Sequence, residues 1–162
     1  MLVLVGAQTS LWLQLFGHFP TPSLWLPTLV YWTIYRSPKE GLFMIYVISV
    51  ILSPLTVLPL GVILLINTCL FFVGLIIKSR FYQPGPVYYS MLTGFIVFMF
   101  PAFHTIFSWT FFNNPLKETF FFLWILKPLL TMLFCFPLHL LYVFYDDLTE
   151  KSLPTETGRK LG

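Results

Sequence analysis

Charge is the property that this sequence has least of. Only 9% of its 162 residues are charged, whereas a soluble domain carries about 25%. Lys, Arg, Asp and Glu are absent from residues 1–35, 41–77 and 81–116. With 57% hydrophobic and 20% aromatic residues, the chain has more apolar surface than one small globule buries. This excludes an ordinary soluble domain and indicates a membrane protein.

Acidic residues and cysteines are also scarce. All six Asp and Glu residues lie in predicted loops or near the C-terminal end, whereas a proton-coupled transporter usually keeps an ionisable group at mid-depth. Cys69 and Cys135 stand inside apolar runs, where a thiol acts as a small apolar side chain. We therefore expect no disulfide, no metal site and no cofactor. The net charge of +3 gives no reason to expect a nucleic-acid partner.

Six apolar segments follow one another along the chain. A membrane span needs about 20 residues, so the first two segments are expected to extend into their flanks. We predict an all-α membrane protein, with a six-helix transmembrane bundle over residues 1–151 and a short cytoplasmic tail over 152–162. The six segments are 1–16, 24–35, 41–58, 60–77, 87–112 and 119–145.

Pro54 and Pro59 separate the third apolar segment from the fourth. Each proline would kink or break a continuous helix, which excludes one long straight helix. The sequence instead predicts a tight helix–helix turn that is completed by Pro59 and Gly61. A re-entrant pair of segments is the alternative interpretation.

Small and polar residues recur at spacings that place them on one face of a predicted helix. Such residues let membrane helices approach closely and form hydrogen bonds. The first interpretation is packing inside the bundle, and the second is a docking face for a helix of another protein. The candidate partner-binding residues are Ser90, Gly94, His104, Ser108, Lys127, Thr131 and His139.

Lys127 is the one Lys or Arg inside a predicted span. Its ammonium either snorkels outward along its apolar stem or faces a partner or a lipid phosphate. His104 and His139 also stand inside predicted spans, where hydrogen bonding within the bundle is a more ordinary role than metal ligation. The predicted spans contain no paired carboxylates, no Ser-His-Asp set and no metal-ligand spacing, so we expect no enzymatic activity.

Four short motifs occur in the first half of the chain: Gln8, the segment from Pro22 to Tyr31-Trp32, the loop from Arg36 to Gly41, and the stretch from Ser53 through Leu60-Gly61. In these motifs the chain resembles MreD, a small integral membrane protein of the bacterial rod-shape machinery. Members of that family often carry an acidic residue at the position of Ser53 and a glycine at that of Ser49.

The resemblance implies a non-enzymatic scaffold that binds MreC, a single-span membrane protein. Such a scaffold would help to couple cytoplasmic MreB filaments to peptidoglycan synthesis by RodA and its transpeptidase partner. The resemblance also implies a fold similar to the substrate-binding subunits of energy-coupling-factor vitamin transporters. The alternative function is therefore a small-molecule-binding membrane subunit of a vitamin or metabolite transporter. A lipid-processing enzyme, the third possibility, lacks catalytic residues.

The distribution of Lys and Arg predicts a multi-pass protein of the bacterial inner membrane with both termini cytoplasmic. In this orientation the outer loops hold only Lys117, while seven basic residues lie on the inner side. Those seven are Arg36, Lys39, Lys78, Arg80, Lys151, Arg159 and Lys160. The bias requires an even number of spans.

Overall fold

The computed structural model describes residues 21–148 except 57, 84 and 113–120, together with Gln14 and Gly17. Over these residues the prediction of an all-α chain is confirmed, because the described elements are all helical. The helices are α1 (Trp25–Tyr35), α2 (Pro38–Leu52), α3 (Leu60–Phe81), α4 (Pro86–Phe112) and α5 (Phe121–Leu148), with a 3₁₀ turn at Ser53–Leu55.

Four helical stretches of the described chain are long and apolar enough to cross a membrane. They are α2 with its 3₁₀ turn, α3, α4 and α5, and they make the chain a multi-pass membrane protein. Helix α4 has 27 residues and α5 has 28, which correspond to about 40 Å and 42 Å at the usual rise. Both exceed a hydrocarbon core of about 30 Å.

The predicted count of six spans is not reproduced. The segment predicted over 24–35 forms only α1, whose 11 residues measure about 16 Å, roughly half of the hydrocarbon thickness. It does not extend into its flanks, because residues 21–23 are not helical and Arg36 is extended. Of the segment predicted over 1–16, only Gln14 is described, and the tail predicted over 152–162 lies outside the described residues.

The sequence Ser37-Pro38-Lys39-Glu40 sets the corner between α1 and α2. Ser37 is the N-cap of α2, and its hydroxyl accepts a hydrogen bond from the Glu40 amide at 3.4 Å. Pro38 occupies the first helical position, where no backbone hydrogen bond is lost, and it keeps the residue before it extended. The chain therefore leaves α1 at Arg36 and begins a separate helix.

A short turn joins α2 to α3 in the region where the sequence predicts one. The 3₁₀ turn contains Pro54, and Pro59 is the N-cap of α3, with its carbonyl accepting from the Val62 amide at 3.0 Å. Gly61 lies exposed in the first turn of α3. Because α2 with its turn and α3 each reach the length of a span, the described chain favours two complete spans over a re-entrant pair.

Helix α1 forms the centre of the bundle. Ten of its 11 residues are buried, with Trp32 the exception, and it contacts each of the other four helices. A helix that is apolar on all sides is buried either in protein or in lipid, and α1 is too short to cross a membrane by itself. Helix α2 packs along α3, and α4 packs along α5, so α1 is held between two helix pairs.

The charged residues of the described chain lie almost entirely at one end of the bundle, which we call the charged end. It contains the α1–α2 corner, the last turn of α3 and the last turn of α5. Lys78 and Arg80 at the C-terminus of α3 complement its helix dipole. Helices α2 and α4 run away from this end, and α3 and α5 return to it.

Gly41 is expected to be a site where a single methyl group weakens the fold. A Cβ at Gly41 would lie 2.6 Å from the ring of Phe71, and this ring is only 1% exposed and has little room to move. We expect Gly41→Ala to lower the free energy of unfolding by about 1–2 kcal/mol, since overpacking outweighs the better helix propensity of alanine. Thermal unfolding in detergent measures the change.

Gly61→Ala is the matched control, because Gly61 also lies near the start of a helix and no atom stands within 4 Å of its added Cβ. Its melting temperature should equal or slightly exceed that of the parent. Equal losses in the two variants would contradict the close packing of α2 on Phe71.

Candidate functional site

The charged end is organised around the carboxylate of Asp146 in the last turn of α5. Arg36, directly after α1, forms an ion pair with Asp146. The Tyr31 hydroxyl donates a hydrogen bond to the second carboxylate oxygen at 2.5 Å. The Arg36 and Asp146 side chains are only 11% and 5% exposed. We call these three residues the Asp146 cluster, and it ties both the body and the end of α1 to α5.

Tyr31 acts in this cluster as a donor only. Burial, followed by the hydrogen bond to Asp146, raises the pKa of its hydroxyl far above the ordinary value for tyrosine. The hydroxyl therefore stays protonated across the physiological pH range and keeps donating to the carboxylate. The Tyr31 hydroxyl and the Arg36 guanidinium together hold the Asp146 carboxylate in position.

Two cations also lie at the C-terminal end of α1, where helix carbonyls lack partners within the helix. The Lys78 ammonium of α3 donates to the Thr33 carbonyl at 3.1 Å. The Arg36 guanidinium lies 5.8 Å from the centre of the Trp32 ring, which is the geometry of a cation–π contact. Positive charge at this position is favourable for the dipole of α1, so α3 and the α1–α2 corner also stabilise the short helix.

Next to the Asp146 cluster, a layer of aromatic residues joins α1 to α4 and α5. Tyr35 and His139 share a hydrogen bond of 3.2 Å, and Thr28 and Tyr142 share one of 2.6 Å. The Tyr89 hydroxyl donates to the Pro27 carbonyl at 2.9 Å. Each of these hydrogen bonds joins two helices, so the layer fixes how α1 packs against α4 and α5.

Five of the predicted partner-binding residues are buried within the bundle: Ser90, Gly94, Ser108, Thr131 and His139. The Ser90 hydroxyl donates to the Met132 carbonyl at 3.1 Å, and a Cβ at Gly94 would meet the Met132 side chain. These two contacts seat α4 against α5. His139 belongs to the aromatic layer. The described contacts of these buried residues are those expected for packing inside the bundle, which is the first of the two interpretations of the sequence pattern.

His104 and Lys127, the other two predicted residues, meet at the opposite end of the bundle. They come from α4 and α5 and line a cavity of about 180 Å³, together with Ser23 and Thr56. Thr131 stands one turn from Lys127 and accepts a hydrogen bond from the Ser23 amide at 3.1 Å. The structure thus places His104 and Lys127 on one cavity. Thr131 lies beside it through its hydrogen bond with Ser23, and His139 lies apart from them in the aromatic layer.

Asp146 is not among the site residues predicted from the sequence. The signal was present, because the four-residue spacing of Lys127, Thr131, Cys135 and His139 continues to Tyr142 and Asp146 at spacings of three and four. Residues at these spacings share one helix face, so this face of α5 runs the whole length of the bundle. The apolar segment predicted over 119–145 ends before Asp146, whereas α5 extends to Leu148.

A second, wider cavity of about 700 Å³ lies at the charged end between α3 and α4. Arg80 and Gln83 supply its polar lining with the neighbouring tyrosines Tyr82 and Tyr88, and Phe95 is among its apolar residues. Such a composition is typical of an amphipathic surface at a membrane interface, where aromatic and basic side chains meet headgroups.

The chemistry of the described residues is that of packing and charge pairing. No group of three His, Cys, Asp or Glu side chains in the described ranges is placed to hold a metal ion. Comparison of the chain with protein-family models, curated proteins and solved structures finds no match. The residues and their geometry are therefore the basis for the function proposed below.

Asp146→Asn is expected to destabilise the bundle strongly. It removes the charge that pairs with the largely buried Arg36, and breaking such a pair costs about 3–5 kcal/mol. Thermal unfolding of the purified protein in detergent measures the loss. Tyr31→Phe, which removes one hydrogen bond to the carboxylate, should cost about 1.5–3 kcal/mol.

Asp147→Asn is the control for this experiment, because Asp147 is the next residue of the same helix and is exposed. An exposed substitution of this kind usually changes stability by less than about 0.5 kcal/mol. If Asp146→Asn and Asp147→Asn unfold at the same temperature, the Asp146 cluster does not hold α1 in place.

Proposed function

We propose that this chain is a non-enzymatic membrane scaffold of the bacterial cell-elongation machinery. It binds an MreC-like single-span membrane protein and thereby regulates cell shape and peptidoglycan synthesis. MreB filaments and RodA with its transpeptidase are the further partners that this function implies. The proposal begins from the MreD resemblance, and one structural observation supports it most.

That observation is the place of the resembling motifs in the fold. The motif from Pro22 to Trp32 covers most of α1, the buried centre of the bundle. The loop motif begins with Arg36, the ion-pair partner of Asp146. Two of the four motifs thus contain residues that hold the helices in a fixed arrangement. A scaffold requires such an arrangement, because its partner recognises a rigid set of helix faces.

The outward faces of α4 and α5 are apolar along much of their length. Leu133, Leu140 and Phe144 are exposed on α5, and Met91 and Trp109 are exposed on α4. Helices associate within membranes through close van der Waals packing, and these faces are accessible to a partner helix as well as to lipid. A single-span partner can therefore dock by complementarity of shape, without catalysis and without a transport pathway.

The charges support an orientation with the charged end in the cytoplasm. Among the described residues, Arg36, Lys39, Lys78 and Arg80 lie at the charged end, and only Lys127 lies towards the opposite end. Basic residues mark the cytoplasmic side of a membrane protein. We place the chain in the bacterial inner membrane in this orientation, where the charged end would face the MreB filaments.

A small-molecule-binding subunit of a transporter is the second candidate. The cavity lined by Lys127 and His104 favours it, since this cavity brings polar groups into an apolar bundle. Its volume of about 180 Å³ is below the roughly 300–1,000 Å³ that ligands of vitamin size usually occupy. The cavity therefore suits a small chemical group better than a whole vitamin.

Depletion of the protein tests the scaffold function in cells. Cells of its rod-shaped host should become round and lose elongation of the side wall, because the synthesis machinery would no longer be coupled to its filaments. Phase-contrast microscopy and labelling of new peptidoglycan measure both effects. Normal shape together with a requirement for an added nutrient would contradict the scaffold and support the transporter.

Photo-crosslinking tests the docking of a partner helix. A photoreactive residue at Leu140, which is 70% exposed, should capture a single-span protein of the MreC type. The same residue at Leu138 should not, because this neighbouring position on α5 is only 7% exposed and faces the bundle. Scanning the outward positions of α2, α4 and α5 without obtaining a protein adduct would contradict docking on the described faces.

A further inference from the structure

The cavity opposite the charged end has a polar lining that the scaffold function does not use. Its polar side chains are Lys127, His104, Ser23 and Thr56, and the rest of its lining is apolar. Described acids are found only at the charged end, so none of them lines the cavity. A small site with two basic side chains and no described acid is suited to an anion.

Lys127 carries a charge that the described residues do not neutralise. The ion pair found in the described ranges is that of Arg36 with Asp146, at the other end of the bundle. No described side chain or carbonyl accepts a hydrogen bond from the Lys127 ammonium. Lys127 is half-buried, and a cation inside a bundle is stabilised by a counter-charge, so its position beside the cavity favours an anion there.

The depth of the cavity matches the lipid phosphates of one leaflet. Lys127 and Asp146 are separated along α5 by 19 residues, about 28 Å. His104 lies 18 residues after Pro86 on α4, about 27 Å from the charged end. The hydrocarbon core is about 30 Å thick. With the charged end at one interface, both basic side chains therefore lie close to the opposite one.

The polar groups of the cavity are held in position by the fold. The Ser23 amide donates to the Thr131 hydroxyl at 3.1 Å, and this hydroxyl donates to the Lys127 carbonyl at 2.8 Å. The two bonds keep the chain before α1 beside α5. The His104 ring lies 5.9 Å from the Phe100 ring, which packs edge-on against Trp25 at 5.3 Å. Two basic groups from different helices thus border one preformed space.

We propose that this cavity binds the phosphate of an anionic phospholipid from the leaflet opposite the charged end. The Lys127 ammonium supplies the positive charge, a role in which lysine acts as a point charge towards phosphate. His104 and the Ser23 hydroxyl donate hydrogen bonds to the phosphate oxygens. A free phosphate ion offers the same chemistry, but the depth of the site and the apolar surroundings favour the lipid.

Native mass spectrometry of the protein in detergent tests this site. The parent protein should retain phosphatidylglycerol in preference to phosphatidylcholine, whose headgroup carries its own cation. Lys127→Gln should weaken the retention of phosphatidylglycerol by about tenfold or more, as the loss of a charge-assisted hydrogen bond predicts. Lys127→Arg keeps the charge and should retain most of the binding.

Lys39→Gln is the control, because Lys39 is exposed at the charged end and its loss should leave this binding unchanged. Equal binding of phosphatidylglycerol to the parent protein and to Lys127→Gln would overturn the site. If inorganic phosphate at millimolar concentration displaces the lipid and raises the melting temperature by itself, the anion site stands and the lipid as its source is overturned.

His104→Phe and Ser23→Ala provide a second test should Lys127→Gln fail to fold. Each removes one predicted donor and leaves the Lys127 charge in place. We expect a fall of a few-fold in phosphatidylglycerol binding with an unchanged helical circular dichroism spectrum. Full binding in both variants would overturn the proposed set of phosphate ligands.

Discussion

The bundle depends on one short helix that has no contact with lipid along most of its length. Helix α1 is too short to cross a membrane and too apolar to lie in water, so it is stable only inside the other four helices. The Asp146 cluster fixes its end, since Arg36 and Tyr31 both bind the same carboxylate. Lys78 adds a bond from α3 to a carbonyl of α1. Because α1 contacts every other helix, each of these bonds also determines where its neighbours lie.

The absence of water in hydrocarbon explains how polar residues are distributed in the bundle. A polar group inside a membrane needs a partner within the protein, and the aromatic layer provides such partners for Thr28, Tyr35, Tyr142 and His139. The outward faces of the spans are then free to be apolar. An interior with specific packing and an exterior of Leu and Phe suit a protein that binds other membrane helices. This division of roles is the physical basis of the proposed scaffold function.

The two ends of the bundle differ in whether a described acid lies beside the buried or half-buried cation. At the charged end, Arg36 is matched by Asp146, and the exposed charges there can reach water and headgroups. At the opposite end, Lys127 borders a cavity that no described acid lines. Among the described residues Lys127 has no counter-charge, and a cation without one is costly inside a membrane, so helix packing alone does not account for a lysine at this position. The asymmetry is the reason to assign a lipid phosphate to the cavity.

The sequence by itself determined the class of the protein, because the near absence of charge over long stretches leaves no alternative to lipid. Local chemistry also determined several boundaries: Ser37 and Pro38 begin α2, and Pro54 and Pro59 separate α2 from α3. The number of spans could not be read from the sequence, since residues 24–35 are apolar enough for a span and only the surrounding helices show that α1 is a short buried element.

The candidate site was predicted in part. The spacing along α5 identified Lys127 and Thr131, but only the tertiary structure brought His104 beside Lys127 and paired Arg36 with Asp146, which is 110 residues away. Such pairs depend on how helices pack in three dimensions, and this information is not contained in the periodicity of any one helix.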